Sequence, residues 1–193
     1  MTDGEQRDRD IAGHVCRDCK SANTVASGQE RWDRHFLDLA LAHARMSKDP
    51  STKVGAVIVG PDREIVSAGF NGFPRGVADT PERLNDRQTK LSLVVHGEIN
   101  AIMAAARIGT AVKGCTMYVA ATDVSGEIWG GPPCLRCTVE TIQAGITEIV
   151  SWPMKTAPSR WHASLEEALK ILYEAGIAYR EISPIREAAG IGT

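Results

Sequence analysis

No apolar run in the 193-residue chain approaches the length of about twenty residues that a bilayer span requires. The opening stretch, Met1 to Asp10, mixes acidic and basic side chains and lacks the apolar segment of a signal peptide. Neither sign of charge dominates: 22 Lys and Arg face 24 Asp and Glu, for a formal net charge of -2. That balance argues against a broad nucleic-acid surface and leaves room only for a local basic pocket. No basic or aromatic stripe suits a polynucleotide, and no internal repeat is present. Cysteine is scarce and odd in number, five in all, and two pairs have Cys-x-x-Cys spacing. That usage points away from a disulfide framework and toward ligand thiols in a reducing, cytoplasmic setting.

What is present is an ordinary globular composition, 43% hydrophobic and 24% charged, long enough to bury a core. Residues 1 to 28 are polar and aperiodic, so they read as an extension. It contains His14-x-Cys16-x-x-Cys19. Two readings stay open there: three of four ligands for a second, structural zinc, or free thiols on a tail. Residues 29 to 193 form the domain.

Within that domain the periodicity of Trp32, Phe36, Leu37, Ala40 and their neighbours predicts an amphipathic helix through Met46, ended by Ser47-Lys48-Asp49-Pro50. The β-branched run Val54 to Val59 and the segment Glu64 to Phe70 predict a hairpin across Gly60-Pro61-Asp62. Asn71-Gly72-Phe73-Pro74-Arg75-Gly76 reads as backbone shaped around something small, or as a plain loop. Thr80 to Leu93 reads as a loop with a helical piece. A helix follows from His96 to Gly109, a third strand from Cys115 to Ala121, and a loop from Thr122 to Gly131. A helix opened by Cys134 and stopped by Gly145, a strand from Ile146 to Trp152, a helix from Leu165 to Ala175 and a strand from Ile177 to Ile182 complete the series. This order specifies an α/β fold with a five-stranded mixed sheet and helices on both faces. The helix between the last two strands requires strands 4 and 5 to be parallel.

Chemistry concentrates in His96-Gly97-Glu98 and Pro133-Cys134-Leu135-Arg136-Cys137. Together they match the H-x-E…P-C-x-x-C pattern of zinc deaminases. One imidazole and two thiolates fill three positions of a tetrahedral zinc, and the fourth remains for water. Both segments open helices, whose N-terminal ends favour thiolate over thiol. Glu98 is then a proton carrier and not a ligand: it takes the water proton, passes it to a pyrimidine ring nitrogen and serves the departing amine. A structural zinc needs no such glutamate. Cys115, a conceivable fourth ligand, starts a strand and is better explained as core.

From about Trp32 to Ile182 the chain resembles the deoxycytidylate (dCMP) deaminase family of the cytidine deaminase-like superfamily. The resemblance is carried by Ser47-Lys48-Asp49-Pro50-Ser51-Thr52-Lys53-Val54-Gly55, Gly69-Phe70-Asn71-Gly72-Phe73-Pro74-Arg75-Gly76, Val95-His96-Gly97-Glu98-Ile99-Asn100-Ala101, Lys113-Gly114-Cys115-Thr116-Met117-Tyr118-Val119 and the Pro-Cys-x-x-Cys segment. It implies a three-layer αβα sandwich and hydrolysis of dCMP to dUMP with release of ammonia. The implied metal ligands are His96, Cys134 and Cys137, with Glu98 catalytic. The implied substrate contacts are Asn71 to sugar or base, the Gly97 backbone, and Ser47, Lys48 with Arg45 or Thr52 to the 5′-phosphate. Those last four also cluster as cations and donors at one turn, which suits a phosphate or is an ordinary solvated helix end. Many members of the family are hexamers regulated by dCTP and dTTP with magnesium, which implies a homo-oligomer and, further, a nucleotide regulator with Mg2+. A small-molecule nucleotide, and neither polynucleotide nor membrane, is the expected partner.

Three departures stand out: Gly97 where the family usually has alanine, the long segment Thr122 to Pro132 before the cysteines, and no aromatic-proline step between Asp79 and Val95. The long segment motivates an alternative substrate, a modified deoxycytidylate or a free nucleoside. A non-catalytic, zinc-stabilised binding module is the alternative from another class.

Overall fold

The computed structural model describes residues 28–183; the His14, Cys16 and Cys19 cluster and the extension around it lie outside the described residues. The chain order is α1 (Gly28–Ala44), β1 (Thr52–Val59), β2 (Ile65–Phe70), α2 (Pro81–Asn85), α3 (Arg87–Leu93) and α4 (Gly97–Ile108). It continues with β3 (Thr116–Asp123), β4 (Ile128–Trp129), α5 (Leu135–Gln143), β5 (Glu148–Ser151), a 3-10 turn at Met154–Thr156, α6 (Ser159–Glu174) and β6 (Ala178–Glu181). None of the described helices is long and apolar enough to cross a membrane.

The sheet runs β2-β1-β3-β5-β6. β1 pairs antiparallel with β2 and β3, whereas β3–β5 and β5–β6 are parallel. The last two long strands are therefore parallel, as the intervening helix required. Side chains of β1 alternate between two cores. Val57 and Val59 meet Phe36, Leu37 and Leu41 of α1, while Ala56 and Ile58 meet Ala101 and Ala105 of α4 and Leu172 of α6. Both faces being covered, the strand reads as an unbroken apolar run. The αβα layering is thereby realised.

Three expectations change. The segment after β3 is not a plain loop: Ile128–Trp129 folds back antiparallel, pairing Trp129 with Ala121 and Ile128 with Thr122. The Asp123 carboxylate closes this turn by accepting from Ser125 N–H, Ser125 Oγ and Glu127 N–H. The sheet thus gains a sixth, two-residue strand. The last helix starts six residues before Leu165, at Ser159, because Pro158 sits at the N-cap, where a missing N–H costs nothing. Thr80 to Leu93 holds two short helices, capped by Thr80 and Asp86.

Strand direction gathers the chemistry at one end. β1 starts where β3 finishes, Thr52 opposite Asp123, and β2 ends beside them, Phe70 opposite Gly55. The N-terminal ends of α4, α5 and α6 follow strands that finish there. This crevice outside the carboxyl ends of strands is where α/β sheets place ligands.

Candidate metal centre and pocket

His96 is the N-cap of α4 and Cys134 the N-cap of α5, both in extended backbone. Each puts a side chain at a helix start without spending it on a cap hydrogen bond. α4 is held on β2 by Asn100 Nδ2 donating to Phe70 C=O at 2.7 Å and by Ser67 Oγ donating to Ala101 C=O at 2.7 Å. The turn into α5 is held by Thr138 Oγ1 on Pro133 C=O, and its first N–H, Leu135, donates to Ser164 Oγ of α6.

These anchors bring three donor atoms together. Cys134 Sγ lies 3.4 Å and Cys137 Sγ 3.3 Å from His96 Nδ1, and all three lie within 4.8 Å of one another. Tetrahedral zinc, with bonds of about 2.3 Å to sulfur and about 2.0 Å to nitrogen, separates such atoms by about 3.5 Å. The donor set fits zinc in spacing and in chemistry. Cys115 is buried in the core behind α4 and takes no part.

Without a metal, the proton affinities of the three side chains depend on one another. The hydrogen bond from Cys137, helped by His96, pulls the Cys134 thiol down to about 4. Cys137 is pushed up by that same thiolate and by burial. His96 is raised to about 9, chiefly by its bond to Cys134. A divalent cation takes over the role of those protons and releases them. Glu98, 3% exposed, sits in the first turn of α4 with one carboxylate oxygen, Oε2, lacking any partner. Burial first, and the Cys134 charge second, push its carboxyl up to about 6. A buried acid held near neutrality can both take and give a proton.

His96, Glu98 and Cys134 line a cavity of about 890 Å³. Asn71 and Thr52 are on its wall, but Arg45, Ser47, Lys48 and Gly97 are not. Ser47 is buried, its Oγ accepting from Asp49 N–H and its carbonyl from Lys53 Nζ. Lys48 is exposed and paired with Asp79 at 3.0 Å. The Asn71 amide clamps the start of β1, accepting from Val54 N–H at 2.7 Å and donating to Thr52 C=O at 2.9 Å. One N–H and one lone pair of that amide remain uncommitted. Gly97 is buried against β1, where a Cβ would come within 2.7 Å of Val54 C=O. Its lack of a side chain lets α4 approach the strand closely.

Side chains that no local motif announced complete the wall. Trp129, on the returning strand, stacks on Trp161 of α6 with ring centres 6.3 Å apart. Arg87 and Lys90 of α3 and Arg160 of α6 are its cations besides His96. The unusual length of the Thr122 to Pro132 segment was the only sequence signal for Trp129; Arg160 carried none.

Comparison with known proteins agrees with this geometry. The family described as "Cytidine and deoxycytidylate deaminase zinc-binding region" matches residues 30–152. Deoxycytidylate deaminases of Mus musculus and Homo sapiens are each 38% identical over 160 residues, covering 79% of this chain and 80% of theirs. A deaminase of Aliivibrio fischeri is 35% identical over 149 residues, 76% of this chain and 90% of its own. In fold, the chain is similar to the dCMP deaminase of cyanophage S-TIM5, solved with dCMP and dUMP. The TM-score is 0.58 at 18% identity, over 78% of this chain and 96% of that one. A profile spanning both halves of the ligand set, and relatives sharing more than a third of their residues, place the chain in the cytidine and deoxycytidylate deaminase family.

Proposed function

We propose that this chain is a zinc-dependent deoxycytidylate deaminase, converting dCMP to dUMP and ammonia by hydrolysis. One observation carries the reading: a buried carboxyl with an unpartnered oxygen, Glu98, beside a three-donor His-Cys-Cys set that matches zinc spacing. Four protein ligands would close a structural site, and a binding module would have no use for a protonatable acid there. The relatives' names supply the substrate.

Held by His96, Cys134 and Cys137, zinc would supply Lewis acidity and a water acidified to near neutral pH. The chain's own residues do the rest. Glu98 accepts a proton from the attacking water and delivers it to the pyrimidine N3. It then takes the remaining proton of the hydroxyl added at C4 and gives it to the amine, so that the C4–N bond breaks as C4=O forms and ammonia leaves. Asn71, rigid through its two bonds to β1, offers its remaining N–H to the sugar. Thr52, alone among the four residues expected at the phosphate, lines the cavity.

Association of copies, up to a hexamer, is part of this reading. It is supported by apolar side chains left exposed on α4, Met103 and Ile108. A cytoplasmic setting is supported by Cys115, a thiol outside any disulfide, and by the use of Cys134 and Cys137 as ligands.

The test is steady-state ammonia release by zinc-loaded protein from dCMP, deoxycytidine, CMP, dCTP and 5-substituted dCMP. The expected order puts dCMP first. No turnover of dCMP, or a preference for deoxycytidine, would overturn the substrate assignment.

A further inference from the structure

We propose that Arg160 is the specificity-determining residue for the 5′-phosphate of the substrate, with Thr52 as its neighbouring donor and Arg87 as a second cation. The inference rests on the reading of a nucleotide monophosphate as substrate. It replaces Arg45 and Lys48, whose side chains do not reach the cavity.

Arg160 stands in the first turn of α6. A cation there opposes the helix dipole, which favours acids at the N-terminus, so helix stability does not explain it. Nor does an ion pair: among the described residues it has no carboxylate partner. Among the described residues its one side-chain hydrogen bond donates to Thr52 Oγ1 at 3.4 Å, joining positions 108 residues apart. Four of its five donors thus remain for another acceptor.

The other cations on the wall divide by partner. Lys90 is already neutralised: it donates to Asp49 Oδ1 at 3.1 Å and Ser51 Oγ at 3.0 Å, holding the Ser-Lys-Asp-Pro-Ser turn in shape. Arg87, one turn earlier on α3, has no carboxylate partner among the described residues. Two guanidiniums without a carboxylate partner among the described residues therefore line one cavity, whose wall also carries Asp49 and Asp123, and α6 adds a helix start without a side-chain cap. A phosphate satisfies all three, since guanidinium pairs with it through two parallel N–H donors.

The placement is also fixed relative to the reacting end. Ser164, one turn after Arg160 on the same face of α6, accepts from Leu135 N–H at the start of the cysteine helix. Trp161 stacks on Trp129. On the other side, Thr52 is bonded to Asn71, which lines the cavity with Glu98. A base at Glu98 with its sugar along Asn71 directs the phosphate toward Thr52 and Arg160.

Two measurements on the zinc-loaded full chain test this, for the parent protein, Arg160→Ala and Arg160→Lys. In kinetics, Arg160→Ala is expected to raise the KM for dCMP by about 10- to 100-fold with kcat within about threefold, the loss of a charge-assisted contact made equally in ground and transition states. Deoxycytidine kinetics stay as in the parent, and Arg160→Lys recovers part of the loss. In calorimetry, the parent prefers dUMP to deoxyuridine, and Arg160→Ala reduces that preference by about tenfold or more. Equal losses on dCMP and deoxycytidine would assign Arg160 a structural role and overturn the proposal. So would a larger rise in KM from Lys48→Ala than from Arg160→Ala. If the parent fails to turn over dCMP yet shows an Arg160-dependent preference for dUMP, the phosphate site stands and the deaminase reading falls.

Discussion

Two buried carboxylates on opposite faces of the sheet show how one chemical group serves two ends. Asp33 of α1, 1% exposed, is surrounded by donors: Arg180 Nη1 at 2.7 Å and Nη2 at 3.1 Å, Tyr118 Oη at 2.8 Å and Gln29 Nε2 at 3.0 Å. Burial works against its charge, yet the bonds from Arg180, Gln29 and Tyr118 outweigh it and leave the pKa below the ordinary value. Glu98, nearly as buried, keeps an oxygen without a partner and moves the other way, to about 6. Desolvation acts on both; donors outweigh it at Asp33, whereas the neighbouring Cys134 charge adds to it at Glu98. A satisfied carboxylate ties α1 to β6. An unsatisfied one is poised to exchange a proton.

Substitutions at the two acids should separate these roles. Glu98→Gln is expected to lower kcat on dCMP by about 10³-fold while leaving the thermal midpoint unchanged or higher. Retention of activity would remove Glu98 from the chemistry. Arg180→Ala leaves the Asp33 charge buried and unpaired, which costs about 3 kcal/mol. Urea unfolding reads that loss as a lower midpoint, while kcat per folded molecule stays as in the parent. An unchanged midpoint would show that the Asp33 cluster is not what secures α1.

pH profiles sharpen the contrast further. Asp33 has a depressed folded pKa. Its stabilisation is present above the unfolded value and is lost as pH falls through the lower, folded one. The acid limb of stability below about pH 4 should therefore flatten in Asp33→Asn. Glu98 has the opposite sign, its pKa raised from 4.5 to about 6. In chelator-treated protein it favours folding below pH 4.5, and that contribution fades as pH rises to about 6. The difference is about 2 kcal/mol, which Glu98→Gln should abolish. Coincident profiles for parent and variant would contradict the unpartnered carboxyl. The smallest effect is expected at Gly97→Ala. The new Cβ, 2.7 Å from the backbone Val54 C=O, is closer than real Cβ atoms come, so the start of α4 must move off β1. We expect kcat/KM on dCMP to fall by less than about tenfold, since catalysis tolerates small displacements poorly. A larger loss would show that the close approach itself sets the geometry.

Much of the fold was legible because both of its periodicities are local. The β1 run Val54 to Val59 announces a strand buried on both faces, and Gly109, at φ 79, stops α4 where the pattern ends. The returning strand at Ile128–Trp129 was not legible. Two residues carry no period, and the turn depends on the Asp123 side chain gathering donors. Ser47 and Lys48 illustrate the same limit. Their residue types suit a phosphate, but only packing shows one buried under Asp49 and the other drawn to Asp79.

By itself the amino-acid sequence determined the set of residues proposed to react. His96, Glu98, Cys134 and Cys137 are spaced so that two helix starts deliver three donors and one acid, a requirement of residue type and local backbone. Tertiary structure alone decided the walls around them. Arg160 meets Thr52 across 108 residues, and Trp161 meets Trp129 because α6 packs on α5. Such meetings depend on which strands neighbour which and on where helices dock. Those are properties of the whole packed chain, which no short segment encodes.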